Sequence, residues 1–279
     1  MTQRFDFAIV GAGIAGASLA AGLAPHGRVA LLEAEDRPGY HATGRSAAFW
    51  TESYGGPKVQ PLTTASHAFL SQHGLLTERG ALTLARADEA GDLAAFIAEF
   101  SALGVRVDAL DRAALEARLP GLKPEWKLGA YEPDCCDIDV AGLHQLWLAQ
   151  GQRLGAELLC RARMVAARHD ADGWHIALAD GREVAARVLI NAAGAWADPV
   201  AEAAGVAPSA PQQRPDHDHV TVDQVVKVLF SNADKARALV ADVVPVVGAA
   251  RGACPAGCDR ALDHALITAP EKRDPAVLA

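Results

Sequence analysis

No apolar run in this chain reaches the roughly 18 residues that a membrane-spanning helix requires, so membrane association is not indicated. A basic excess is also missing. Lys and Arg number 26 against 34 Asp and Glu, for a net charge of -8, and no basic stripe points to a nucleic-acid partner. The first residues lack a charged segment followed by an apolar run and a cleavage site. Five cysteines, an odd number without such a leader, point to reduced thiols and a cytoplasmic setting. There is no internal repeat. What remains is an ordinary globular balance, 51% hydrophobic and 22% charged over 279 residues, enough for one large or two modest domains.

The most informative segment comes at the start. Phe5–Val10 reads as a short buried strand running into Gly11-Ala12-Gly13-Ile14-Ala15-Gly16. Ile14–Leu23 reads as a helix, Arg28–Leu32 as a second strand, and Glu33 closes that strand. The unit has the length of a βαβ of roughly 30 residues. Gly11 permits the tight turn out of the strand, Gly13 lets backbone approach a pyrophosphate, and Gly16 lets helix and strand pack closely. The helix N-terminus offers free N–H groups and partial positive charge to phosphates. Glu33 stands where an acid accepts hydrogen bonds from the ribose hydroxyls of an adenosine.

Beyond this unit, Ala34–Gly39 reads as a turn that feeds Tyr40-His41-Ala42-Thr43-Gly44-Arg45-Ser46-Ala47-Ala48-Phe49, with Arg45 and Ser46 as donors near phosphate. Residues 60–80 read as helical, with Pro61 near the start and Gly74 and Gly80 as stops, Ala81–Ala85 as strand, and Asp88–Leu103 as an amphipathic helix with Phe96 and Phe100 in the core. Asp111–Leu119 reads as a helix capped by Asp111. Residues 121–137 read as loop-rich and aromatic, Val140–Leu154 as helix and Gly155–Cys160 as strand. Met164–Arg168, Trp174–Leu178 and Val184–Ile190 form a β-meander around two Asp-Gly turns. Its last strand enters Asn191-Ala192-Ala193-Gly194-Ala195-Trp196-Ala197-Asp198, a second strand-to-small-residue junction. Pro208–Pro215 is a break, and no second glycine-rich signature follows.

Three stations therefore occur in order: GAGIAGAS with Glu33, HATGRSAAF, and VLINAAGAWAD. Together they resemble the FAD-dependent oxidoreductases of the D-amino acid oxidase superfamily, in its glycine and D-amino acid oxidase or dehydrogenase branch, over about residues 5–207. The resemblance implies an α/β fold: a Rossmann-like FAD-binding domain, βαβ plus β-meander, interrupted by a partial α+β substrate domain. It implies residues 1–80 and 140–207 for the first and 81–139 for the second, with 208–279 as a tail that departs from the family. By the same resemblance Gly11, Gly13, Ile14, Ala15 and Gly16 line the FAD pyrophosphate, and Glu33 with Ala34 meets the adenosine ribose. Arg45, Ser46 and Ala47 pass the pyrophosphate toward the isoalloxazine. Val165 meets the adenine through its backbone, and Ala193, Gly194 and Trp196 lie beside the FAD.

The implied chemistry is hydride transfer from the Cα–H of a small amine or D-amino acid to the flavin, the cofactor carrying the hard step. A guanidinium normally clamps the substrate carboxylate in this family. Arg251 and Arg260 are the tail's candidates, and solvated surface residues are the favoured reading of both. No catalytic residue is assigned. Asp137 and Asp139 are read as caps for the helix at Val140, and Cys135 and Cys136 as two buried or half-exposed thiols. His217, His219, Cys254 and Cys258 are read as a coincidence of spacing, not a zinc site. The family's Arg-rich strand and closing glycine-rich loop have no counterpart after residue 210, which suggests a truncated or frameshifted chain. The alternative is a non-catalytic FAD- or nucleotide-binding remnant without a substrate half. An NAD-dependent dehydrogenase is disfavoured, since it has no use for the second and third stations.

Overall fold

The computed structural model describes residues 3–207 and a strand at 227–229. In chain order the elements are β1 (Gln3–Val10), α1 (Ile14–Leu23), β2 (Val29–Leu32), β3 (Phe49–Trp50), α2 (Gln60–Gln72), β4 (Leu76–Glu78), β5 (Ala81–Ala85) and α3 (Ala90–Ala102). There follow β6 (Asp108–Leu110), α4 (Arg112–Arg118), β7 (Leu128–Glu132), β8 (Cys136–Ile138), α5 (Val140–Arg153) and β9 (Glu157–Leu159). The last are β10 (Met164–Asp170), β11 (Gly173–Leu178), β12 (Glu183–Asn191), α6 (Ala197–Ala203) and β13 (Lys227–Leu229). Contacts divide the described residues into two compact units, one of residues 3–46, 144–207 and 227–229, the other of residues 47–143.

The first unit is built on a seven-stranded sheet in the order β10-β11-β12-β1-β2-β9, with β13 also paired to β12. β12, β1, β2 and β9 run parallel, while β10, β11 and β13 are antiparallel. β2 and the carboxyl halves of β1 and β12 are mostly apolar because both faces of the sheet are covered there. Phe7, Ile9, Val29 and Leu31 pack on one face with Ala20 and Leu23 of α1. Ala8, Val10, Ala30 and Leu32 pack on the other with the meander residues Trp174, Ile176 and Leu178 and with Val200 of α6. Alternating Cβ directions send neighbours in one strand to opposite layers, and the result is the expected Rossmann-like α/β architecture. The two Asp-Gly turns hold the meander, with Gly173 at φ 112 and Gly181 at φ 86.

The second unit carries two three-stranded antiparallel sheets, β3-β8-β4 and β5-β7-β6. Its core gathers Ala85, Leu93, Phe100, Val105, Val107 and Ala130, with Phe96 packed against them. Asp111 caps α4 by accepting the Ala114 N–H at 2.9 Å. Asp139 accepts the Gly142 N–H at 2.8 Å in the first turn of α5, whereas Asp137 pairs with Arg79 at 2.9 Å. Cys135 and Cys136 are free, buried thiols.

Three local expectations need correction. The helix over 60–80 stops at Gln72, and Leu76–Glu78 is a strand, because Gly74 turns the chain at φ 66 and β8 supplies a ladder partner. Residues 121–137 are not all loop: they contain β7 and the start of β8, whose pairing partners lie tens of residues away. The boundary between compact units falls after Ser46 and not near residue 80, since β3 and β4 both pair with β8.

Candidate functional site

The site lies in the first unit, at the carboxyl ends of β1, β2 and β12. Gly11 leaves β1 at φ 103, a conformation that L side chains rarely adopt. Its N–H donates to the Leu32 carbonyl at 2.8 Å, and a Cβ there would sit 2.4 Å from the Ala192 oxygen. A Cβ at Gly16 would sit 1.8 Å from the Gly11 carbonyl oxygen, so α1 and the turn are in direct backbone contact. Gly13 is the extended N-cap of α1 and contributes no side-chain cap. Thr43 does so from another loop: its Oγ1 accepts the Ile14 N–H at 3.0 Å, satisfying one of the free donors of the first turn.

Glu33 is 8% exposed, and both its oxygens are engaged. Oε2 accepts the Ala12 N–H at 3.1 Å and Oε1 accepts the Glu35 N–H at 3.0 Å. A carboxylate this buried is costly unless hydrogen-bonded, and here it ties the glycine turn to the loop after β2. His144, in α5 and 7% exposed, donates Nε2–H to the Ala12 carbonyl at 2.8 Å. Its ring also lies against Gly39, where a Cβ would come within 2.7 Å of Cε1. Gly39 has a φ of 72, so a side chain there would be strained as well as crowded.

Across from these loops, β12 ends at Asn191, which is 1% exposed. Its amide donates to the Ala197 carbonyl at 2.6 Å and its Oδ1 accepts the Ala193 N–H at 3.2 Å, which shapes the Ala192–Trp196 loop. Between the two walls is a cavity of about 490 Å³. Gly11, Gly13, Glu33, Ala34, Ala193, Gly194 and Trp196, all expected at a ligand, line it. Ile14, Ala15 and Gly16 do not line it and act beneath the turn.

The structure places other expected residues elsewhere. The cavity wall here is Gly39–Thr43, the end of the preceding turn and the start of the second station, not Arg45, Ser46 and Ala47. Arg45 instead lays its guanidinium over the Tyr40 ring, 5.3 Å from the centroid. Val165 is 46% exposed, and its neighbours Arg163 and Met164 face the cavity in its stead. The Ala162 N–H bonds the Glu33 carbonyl at 2.7 Å, and the ladder shifts register between Met164 and Ala166, which turns residues 162–164 toward the site. Sequence reading missed His144, Thr43 and Asn191. Thr43 and Asn191 stood inside quoted stations, but nothing local marked His144.

Cys160 is half-buried, and burial together with the Glu33 and Asp36 carboxylates holds its thiol above the usual range. Among the described residues no group of three or more His, Cys, Asp and Glu could hold a metal ion. His217, His219, Cys254, Cys258, Arg251 and Arg260 lie outside the described residues. Among the described residues no helix is long and apolar enough to cross a membrane.

Residues 6–248 match the family described as FAD dependent oxidoreductase, a span running past residue 207, where the motif likeness ends. The fold is similar to the crystal structure of glycine oxidase from Geobacillus kaustophilus, with a TM-score of 0.65 and 26% identity, covering 73% of this chain and 59% of that one. The L-2-hydroxyglutarate dehydrogenase of Salmonella houtenae is 28% identical over 218 residues, 73% of this chain and 51% of the dehydrogenase. The chain thus spans about half the length of that relative. A different likeness is short and close: the S-methyl-5'-thioadenosine phosphorylase of Bradyrhizobium diazoefficiens is 59% identical over 64 residues, 23% of this chain and 22% of that enzyme.

Proposed function

This chain belongs to the family of FAD-dependent oxidoreductases, and on that premise we propose that it binds FAD in the cavity of the first unit and oxidises a small amine or amino acid. The observation that carries the reading is the Gly11–Gly13 turn joined through Ala12 to the Glu33 carboxylate on one wall of the cavity. The residues present fit the adenosine and pyrophosphate parts of FAD. Gly11 and Gly13 keep Cβ atoms away from an approaching phosphate, and α1 opens toward it with no acidic residue in its first turn. Glu33 has accepting capacity left for ribose hydroxyls, since a carboxylate offers about four lone-pair sites. Met164 and Leu32 give an apolar surface for a ring. When bound, FAD supplies the hydride-accepting chemistry. The protein's own work is to orient the dinucleotide, neutralise its phosphates with backbone N–H groups and hold water away from the cavity. In this reading the second unit holds the beginning of a substrate-binding domain, the setting is the cytoplasm and the partner is a small molecule.

The test is optical. Purified protein should be yellow, with flavin bands bleached anaerobically by sarcosine or a D-amino acid. Colourless protein that cannot be reconstituted with FAD sinks the reading.

A second reading has its own observation, the 64-residue likeness to the phosphorylase. Since the dehydrogenase likeness takes up 73% of the chain and the phosphorylase likeness 23%, the two fit side by side. We place the phosphorylase-like segment after residue 207, where Pro208–Pro215 breaks the pattern. The chain would then join part of an oxidoreductase to part of another enzyme and act as a flavin-binding remnant. Yellow protein that no amine or hydroxy acid bleaches supports this reading over the first.

A further inference from the structure

A ring pair joins the cavity's two walls, the Glu33–Thr43 loop and the Ala192–Val200 segment. His41 from the first wall lies 4.4 Å from Trp196 of the second, centroid to centroid, with the planes tilted by 50°. Both residues line the cavity. We propose that His41 and Trp196 form a clasp that closes the cavity over the adenosine end of the bound dinucleotide and sets how slowly it leaves. The proposal rests on the flavin-binding reading and names two positioning residues for it.

His41 is anchored on its own side. Its Nε2 pairs with Glu35 Oε1 at 2.8 Å, and the Glu35 N–H is held by Glu33 Oε1 at 3.0 Å. Glu33 in turn holds the Ala12 N–H. A hydrogen-bonded path therefore runs from the glycine turn to the His41 ring. Tyr40 stands edge-on to that ring at 5.0 Å and 90°, which limits its rotation.

Trp196 is held differently. It ends a single 3₁₀ turn, Gly194–Trp196, entered through Gly194 at φ 56. Its side is 49% exposed, which is unusual for an indole whose role is only to fill a core. A rigid ring on one wall and a half-exposed ring on a short turn are the parts of a closure that opens from the Trp196 side. In the clasp the tilted ring pair screens the cavity from water, and an imidazole–indole contact can part without breaking any of the hydrogen bonds that hold His41.

The experiment follows FAD release from reconstituted protein by recovery of free-flavin fluorescence after dilution. A ring pair of this kind is worth roughly a threefold to tenfold change in rate. Trp196→Ala and His41→Ala should each speed release by about that factor. The double variant should release no faster than the faster single one, because both remove the same contact. Trp196→Phe, which keeps an aromatic face, should fall between wild type and Trp196→Ala, and melting temperatures monitored by circular dichroism should stay within a few degrees of wild type. Equal release rates in wild type and both single variants overturn the clasp while leaving flavin binding intact. So does a double variant whose effect is the product of the two single effects. Wild-type protein that takes up no FAD overturns the clasp together with the reading on which it rests.

Discussion

His144 donates its Nε2–H to the carbonyl of Ala12 at 2.8 Å, across 132 residues of sequence. The bond joins α5 to the glycine turn, and the same ring fills the space that the bare Gly39 leaves. His144→Ala should therefore cost about 2–4 kcal/mol, from an unsatisfied buried carbonyl and a cavity together. His144→Phe, which keeps the ring and loses the donor, should cost about 1–3 kcal/mol. Urea unfolding of the two variants separates the terms. Equal stability of wild type and His144→Ala would remove the histidine from the scaffold of the turn.

The closest approach in the site is at Gly16, where a Cβ would stand 1.8 Å from the Gly11 oxygen. Neither atom belongs to a flexible side chain. Gly16→Ala should force α1 off β1, lower stability by at least about 1–3 kcal/mol and abolish FAD retention. A variant that melts and binds like wild type would contradict the packing.

Thr43 caps Ile14 from outside the helix. Thr43→Val keeps the shape and removes the acceptor, at a cost of about 1 kcal/mol. Thr43→Ser should retain most of the stability. Thermal melts of the pair are the measurement, and a larger loss in Thr43→Ser than in Thr43→Val would assign Thr43's contribution to its methyl group.

Asp170 is a surface residue at the β10–β11 turn. The Asp172 N–H, then the Arg168 guanidinium and His175, hold its carboxyl down at about 2. A depressed native pKa adds stability that is fully present above the unfolded value, about 3.9, and is lost as pH falls toward 2. Wild type should therefore exceed Asp170→Asn in stability at neutral pH, with the gap closing between about pH 4 and 2. A gap that stays constant through acid unfolding would show that the carboxylate charge is not the cause.

Burial holds the thiols of Cys135 and Cys136 above their usual range, with the Glu132 carboxylate adding to the first and Glu78, Asp134 and Asp137 to the second. Nucleophilic thiolate is correspondingly scarce at neutral pH. Native protein treated with iodoacetamide at pH 7 should keep both unmodified, and peptide mapping after digestion reads this site by site. Rapid modification of Cys135 would contradict its burial.

The first βαβ unit was legible in the sequence because its physics is local. A glycine at positive φ, an Ala-rich helix of 10 residues and an acid at the end of β2 each leave a mark within a few residues of where they act. The β-meander was legible for the same reason: alternation and Asp-Gly turns are short-range signals. Strands β4, β7 and β8 were not, since each is short and owes its ladder to a partner distant in sequence. The second station shows the limit within a motif. Its spacing put a loop beside the cavity, yet only the fold decided that Gly39–Thr43 forms the wall while Arg45 lies over Tyr40.

By itself, then, the sequence determined the family, the parallel core and the glycine turn Gly11–Gly16 with Glu33 at the end of β2. The tertiary structure alone decided what holds that turn in place. His144, Thr43 and the His41–Trp196 pair reach it from other elements. A hydrogen bond or ring contact between distant residues leaves no periodicity in the chain, because its strength depends on separation in space and not on separation in sequence.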